Sequence, residues 1–210
     1  MLTLAIPFVS LAAAFAPLPA RQSPPQRPAA DTAAFAGGCF WGVEGVFRHV
    51  KGVTSATSGY AGGTVASPSY ELVGSGSTGH AESVLVTYDP SQVTYEQLLE
   101  VFFTVAHDPT QRNRQGPDVG TQYRSIAFYR DSVQRHKIEA YIATLTAKKL
   151  YTAPIVTEVV PLQAFYRAED YHQNYMALHP RSPYIMFHDA PKVKHLHREF
   201  PVLYREPPKP

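Results

Sequence analysis

The sequence predicts an α+β domain, a two-layer α/β sandwich in which helices cover one side of a mixed sheet. Three observations carry this. Strand-like and helix-like segments are interleaved, no period repeats along the chain, and the helix candidates bring their own capping or stop signals. With 210 residues, 44% hydrophobic and 12% aromatic, the chain can bury a core and does not have the composition of a disordered polymer.

Ala33 to Ala36 is a short apolar run that reads as a buried strand, followed by a Gly37-Gly38 turn. From Phe40 the period becomes helical: Phe40, Val43, Phe47 and Val50 recur on one face, and Gly52 is set to stop the helix. Val53 to Tyr70 starts as a strand and runs into a loop rich in Gly, Ser and Thr. Ser83 to Tyr88, β-branched and ended by Asp89-Pro90, reads as a central strand. Thr94 and Gln97 form a capping box for a helix carrying Leu98, Phe102 and Val105. After the polar stretch His107 to Gly120 comes a strand over Tyr123 to Tyr129. Asp131 and Gln134 cap a further helix with the stripe Ile138, Tyr141, Ile142 and Leu145. Ile155 to Val160 supplies another strand, and Ala168 to Leu178 a short helix.

The ends have a different character. Met1 to Ala20 is nearly uncharged, contains the apolar run Leu2 to Phe15, and reads as an export signal or leader removed after Ala20. The run is short for a membrane span, so the alternative is a retained interfacial anchor. Residues 21–31 are a proline-rich tether, 32–200 the folded domain and 201–210 a proline-rich tail. The expected location is exported or periplasmic, and cytoplasmic if the leader does not function. No stable membrane insertion is expected once the leader is gone. Nineteen basic against 17 acidic residues give a net charge of +2, too balanced and too scattered for a nucleic-acid footprint.

The chain contains one cysteine, in Gly37-Gly38-Cys39-Phe40-Trp41-Gly42. It cannot form an intrachain disulfide or a thiolate-rich zinc site, so any redox role must use sulfenic acid chemistry or a mixed disulfide with an outside thiol. A thiol where a strand enters a helix meets unpaired N–H groups and the positive dipole end, which predicts a lowered pKa and an approachable sulfur. A buried structural cysteine is the alternative. Adjacent rings at Phe40 and Trp41 cannot share one helix stripe, so one of them lines a surface cavity, a wall suited to a methyl or thioether group. His80, His107 and His172 lack metal-binding spacing and read as hydrogen-bonding anchors for loops.

"GGCFWGVE" resembles the signature of the A-class peptide methionine sulfoxide reductases. So do "SGYAGG" at Ser58 to Gly63, "SY" at Ser69-Tyr70, "GSTGHAESVLVTYDP" at Gly76 to Pro90, "HDPTQRNRQGPDVGTQYRS" at His107 to Ser125 and "AEDYHQNY" at Ala168 to Tyr175, in the family's order. The resemblance implies reduction of the S epimer of methionine sulfoxide, protein-bound and free, on an α/β sandwich with a ferredoxin-like arrangement. It implies Cys39 as nucleophile, Glu82 as catalytic carboxyl, Tyr70 and Tyr123 as donors to the sulfoxide oxygen, and Asp118 as a residue holding substrate and pocket. It likewise implies that Phe40 and Trp41, with Gly38 beside them, form the substrate site. No bound cofactor or metal is implied.

Many members carry further cysteines that resolve the sulfenic acid. This chain has Gly74 in one of those regions and none in its tail, so it resembles the single-cysteine branch, which needs an external thiol: thioredoxin-like, glutaredoxin-like or small. The expected assembly is a monomer, and the role repair of oxidised proteins under oxidative stress. Two rivals follow from the residues alone: a cysteine hydrolase pairing Cys39 with His80 or His172, and a non-enzymatic module with a methionine pocket.

Overall fold

The structure is a computed structural model and describes residues 29–207; the predicted leader and most of the tether lie outside the described residues. In chain order the elements are β1 (Asp31–Ala36), α1 (Phe40–Arg48), β2 (Val53–Ala61), α2 (Tyr70–Gly74), β3 (Ala81–Tyr88), α3 (Tyr95–Val101), β4 (Arg114–Gln115), β5 (Asp118–Val119), β6 (Ile126–Tyr129), α4 (Ser132–Ala147), β7 (Glu158–Pro161), β8 (Phe165–Arg167), α5 (Tyr175–Leu178) and α6 (Ala190–Glu199). Six strands form one mixed sheet in the order β7-β6-β1-β3-β2-β8, and β4 pairs with β5 separately. All neighbours in the large sheet are antiparallel except β6 and β7.

Strand alternation builds the layers. Ala33 and Phe35 of β1, and Val84 and Val86 of β3, face the main core, to which α1, α3, α4 and α6 contribute. Phe35 is its centre, stacked on Phe47 at 5.2 Å and Phe102 at 4.6 Å between ring centroids. The other face carries a smaller cluster of Ala34, Ala36, Ala61, Ala81, Ile126 and Phe128, to which no helical residue contributes among those described. Glu82 shares the face of Val84 and Val86, which turns its carboxyl toward the start of α1.

Both predicted caps form. The Thr94 hydroxyl accepts from Gln97 N–H at 3.2 Å and the Gln97 side chain accepts from Thr94 N–H at 2.9 Å. The Asp131 carboxylate accepts from Gln134 N–H at 2.8 Å, while the Gln134 amide accepts from Arg130 N–H and donates to Thr32 O, tying α4 to β1. Thr94→Ala is expected to cost about 1 kcal/mol, read as a fall in Tm of about 2–4 °C for a domain of this size.

Several boundaries differ from the sequence reading. α1 stops at Arg48, and Val50 leaves the helical stripe to bridge Tyr204, because residues 201–205 fold back along it. Lys51 N–H donates to Leu203 O at 2.7 Å and Arg205 N–H to His49 O at 2.8 Å. Tyr123 belongs to a 3-10 turn, Thr121–Tyr123, and the strand begins at Ile126. The helix expected over Ala168 to Leu178 is two pieces: a 3-10 turn at Asp170–His172, then α5. They are parted by Asn174 in the left-handed region at φ 57°. That break is held by Glu44 of α1, whose buried carboxylate accepts from Asn174 N–H at 2.9 Å and from Ser58 Oγ at 3.0 Å.

Candidate active site

Cys39 is the N-cap of α1. Gly38 precedes it at φ 88°, and a Cβ there would lie 2.5 Å from Gln115 Cβ, so the bare backbone lets the loop that carries β4 and β5 close over the strand–helix junction. Gln115 in turn braces its loop, accepting from Asp108 N–H at 3.1 Å and donating to Asp108 O at 3.0 Å. Three residues past this brace Asp118 starts β5.

The sulfur is not the exposed, acidified thiol that the local pattern predicts. Cys39 is 8% exposed, and its pKa stands well above the ordinary thiol value. Burial is the main cause, followed by the negative charges of Glu82 and Asp189. The Trp41 N–H of the first helical turn pulls the other way without reaching cap-bond geometry. Magnitudes decide the sign: a helix terminus is worth about 0.3–1 kcal/mol, less than one pKa unit, whereas full burial moves a group by several units. At rest Cys39 is a neutral thiol.

Glu82, 3% exposed on β3, accepts from the Phe40 N–H at 3.0 Å, the first free donor of α1. Its carboxyl is pushed up to about 8, chiefly by burial and further by Asp118 and Asp189, against the lowering effect of the Phe40 N–H and Cys39. It therefore holds its proton at neutral pH beside the cysteine. Tyr70, first residue of α2, is pushed up to about 12 by burial and Glu82, and Tyr123 is also raised, with burial and then Glu82 and Asp118 as its largest causes. Both hydroxyls are thus kept as donors. The structure brings Cys39, Glu82, Tyr70, Tyr123 and Asp118 within one electrostatic neighbourhood.

The aromatic pair divides as the helix geometry requires. Phe40 is sealed in the core, its ring centroid 5.9 Å from Tyr60 and 5.0 Å from His172. Trp41 is partly exposed, stacked on Tyr175 at 3.7 Å and 8°, with the edge of Tyr184 at 5.9 Å. It also lines a cavity of about 320 Å³ with Gly45, Arg48, Met176 and Val193, and Cys39 is not in its wall. Tyr184 donates to Asp118 Oδ2. The sequence reading passes over Tyr184 entirely, and over Tyr175 although it lies in a quoted block.

Each of the three singled-out histidines makes hydrogen bonds to groups other than Cys39. His80 accepts from Gly63 N–H at 3.1 Å and donates to Val65 O at 2.8 Å. His107 donates to Phe102 O at 2.9 Å and accepts from Ser125 Oγ at 2.6 Å, and burial holds it neutral, with a pKa of about 4. His172 Nδ1 accepts from the Trp41 indole at 3.1 Å. Among the described residues no group of three or more His, Cys, Asp or Glu is arranged to hold a metal ion.

Comparison with known proteins gives one answer. Residues 31–202 match the family model described as "Peptide methionine sulfoxide reductase". "Peptide methionine sulfoxide reductase MsrA 2" of Mesorhizobium japonicum is 58% identical over 181 residues, 86% of this chain and 93% of that protein. Among solved structures, reduced Mxr1 from Saccharomyces cerevisiae aligns at a TM-score of 0.68 with 35% identity, covering 73% of this chain and 87% of its own. Methionine sulfoxide reductase A of Corynebacterium diphtheriae aligns at 0.64 with 39% identity, covering 74% and 77%. On this evidence the chain belongs to the A class of the peptide methionine sulfoxide reductase family, and is a peptide-methionine (S)-S-oxide reductase.

Proposed function

We propose that the enzyme reduces protein-bound and free methionine sulfoxide by oxygen transfer to Cys39, with Glu82 as proton donor. The observation that carries this is the neutral, buried Glu82 carboxyl, anchored on the Phe40 N–H and facing the only thiol in the chain. Sulfoxide sulfur is electron-poor and its oxygen electron-rich, so attack by the Cys39 sulfur increases the charge on that oxygen. A proton from Glu82 and hydrogen bonds from Tyr70 and Tyr123 stabilise it. Asp118, fixed by Tyr184, holds the substrate, and Trp41, backed by the buried Phe40 ring, meets its methyl group. The net step moves one oxygen atom: methionine sulfur gains two electrons, Cys39 loses two, and the thiol hydrogen ends on the transferred oxygen as a sulfenic acid.

The return step needs an outside thiol. Attack by it on the sulfenic sulfur releases water and forms a mixed disulfide, and a second thiol frees Cys39 with formation of the reductant's disulfide. A thioredoxin-like protein, a glutaredoxin-like protein and a small thiol all fit this chemistry. We also read β6-β1-β3-β2 as a ferredoxin-like core, supported by its order and its antiparallel pairing. From the sequence alone, we propose an exported enzyme with its leader removed, which N-terminal sequencing of the natural product tests.

Mass spectrometry after one equivalent of methionine sulfoxide, with no thiol added, tests the oxygen transfer. One oxygen gained at Cys39 and one methionine formed per chain is the expected result. Methionine formed with Cys39 unmodified would defeat the scheme.

A further inference from the structure

Asp189 is fully buried, with 0% of its surface exposed, and none of the roles above uses it. It ends a π-helical segment, Ile185–Asp189, and leads straight into α6. Its Oδ1 accepts from Lys192 Nζ at 3.2 Å, while Oδ2 is buried with no hydrogen-bond partner among the described residues. An unsatisfied buried carboxylate oxygen is costly, and such groups in folded proteins call for an explanation.

The pair sits against the cysteine helix. A Cβ at Gly42 would lie 2.1 Å from Asp189 Oδ1 and 2.8 Å from Lys192 Nζ, so the bare first turn of α1 leaves a notch that the ion pair fills. Gly42 is three residues beyond Cys39. The charge is felt there: Asp189 is second only to Glu82 among the charges that push Cys39 up, and it also pushes up Glu82 and Tyr184.

We infer that Asp189, held by Lys192, is a positioning residue of the reaction: it fixes the first turn of α1 against the C-terminal helix and keeps a buried negative charge beside Cys39 and Glu82. This rests on Cys39 and Glu82 acting as nucleophile and acid. The groups that face Asp189 are Lys192, His188, Asp118, Tyr184, Cys39 and Glu82. Burial pushes the Asp189 carboxyl itself up, and Lys192 and His188 act against that and favour its charged form. Those that face Glu82 are Cys39, Asp118, Asp189 and the hydroxyls of Tyr60, Tyr70 and Tyr123. Removing the Asp189 charge makes ionisation easier at both Glu82 and Cys39. Glu82 then loses its proton at a lower pH, and Cys39 forms thiolate at a lower pH.

The test is the pH dependence of kcat/KM for methionine sulfoxide, with dithiothreitol as reductant, in the full chain carrying Asp189→Asn. Its alkaline limb is expected to move down by about half a pH unit or more relative to wild type. Alkylation of Cys39 by iodoacetamide should titrate at lower pH in the same variant. Gly42→Ala, which pushes Asp189 aside rather than deleting it, should shift both readings the same way and serves if the Asn variant does not fold. Limbs unmoved in both variants, with losses confined to stability or KM, overturn the proposal. A wild type with no alkaline limb would instead remove Glu82 as the acid, and the alkylation profile alone would then decide the case of Asp189.

Discussion

Replacing Cys39 by serine is expected to lower kcat/KM for methionine sulfoxide by about 10⁴-fold or more, because nucleophile and oxygen acceptor are lost together. Serine matches the cysteine in shape, but its hydroxyl is a far weaker nucleophile and cannot take the oxygen as a stable product. The surrounding shell does not depend on the sulfur: Trp41 stays stacked on Tyr175, and Tyr184 stays bonded to Asp118. Affinity for a methionine sulfoxide peptide, measured by calorimetry, should therefore stay within about threefold of wild type, since no side chain that binds the methyl or the oxygen is removed. Turnover measured beside it separates the three readings of the sequence. Ester or amide cleavage by the wild type would favour the hydrolase, and oxygen removal persisting in Cys39→Ser would end the nucleophile assignment.

Glu82→Gln is expected to cost about 10²-fold in kcat/KM at neutral pH, the usual contribution of a positioned general acid. Its second signature is a change of shape. The wild-type carboxyl titrates near 8 and acts in its protonated form, so the rate should fall as pH rises through 8. Glutamine cannot ionise, and its profile should lose that limb. Stability gives an independent check with a defined sign. The folded value lies above the ordinary 4.5, so burying the carboxyl becomes progressively unfavourable as pH rises from 4.5 to 8 and levels off beyond. The wild type should lose a few kcal/mol over that window relative to Glu82→Gln, as read from denaturant midpoints. A parallel pH dependence in the two proteins would show that Glu82 is ionised at neutral pH and unfit to deliver a proton.

The groups that can be named from sequence lie in contiguous blocks with their own local signals. Cys39 stands at a strand–helix junction, Glu82 begins an apolar strand, and Tyr70, Asp118 and Tyr123 follow serine- or glycine-marked turns. The helix caps at Thr94 and Asp131 are equally local and equally legible. Tyr184 and Asp189 arrive by tertiary docking. The stretch around them has no strict period, and α6 reads as a charged run with Val193 and Leu196 as its inward residues. The Cys39 thiol departs from its local pattern for the same reason. The helix dipole is written into neighbouring residues, whereas burial and the Glu82 and Asp189 charges come from chain 43 or more positions away. Likewise the break at Asn174 depends on Glu44, a partner 130 residues distant.

A lone sulfhydryl has a kinetic consequence. Once oxygenated it has no neighbour in its own chain to condense with, so the lifetime of that state is governed by how often solution thiols arrive rather than by any motion of the fold. Every delay leaves the sulfur open to a second oxidant and the irreversible step to sulfinic acid, a dead end for the catalyst. The burial that keeps Cys39 quiet at rest is then also its shield while it waits.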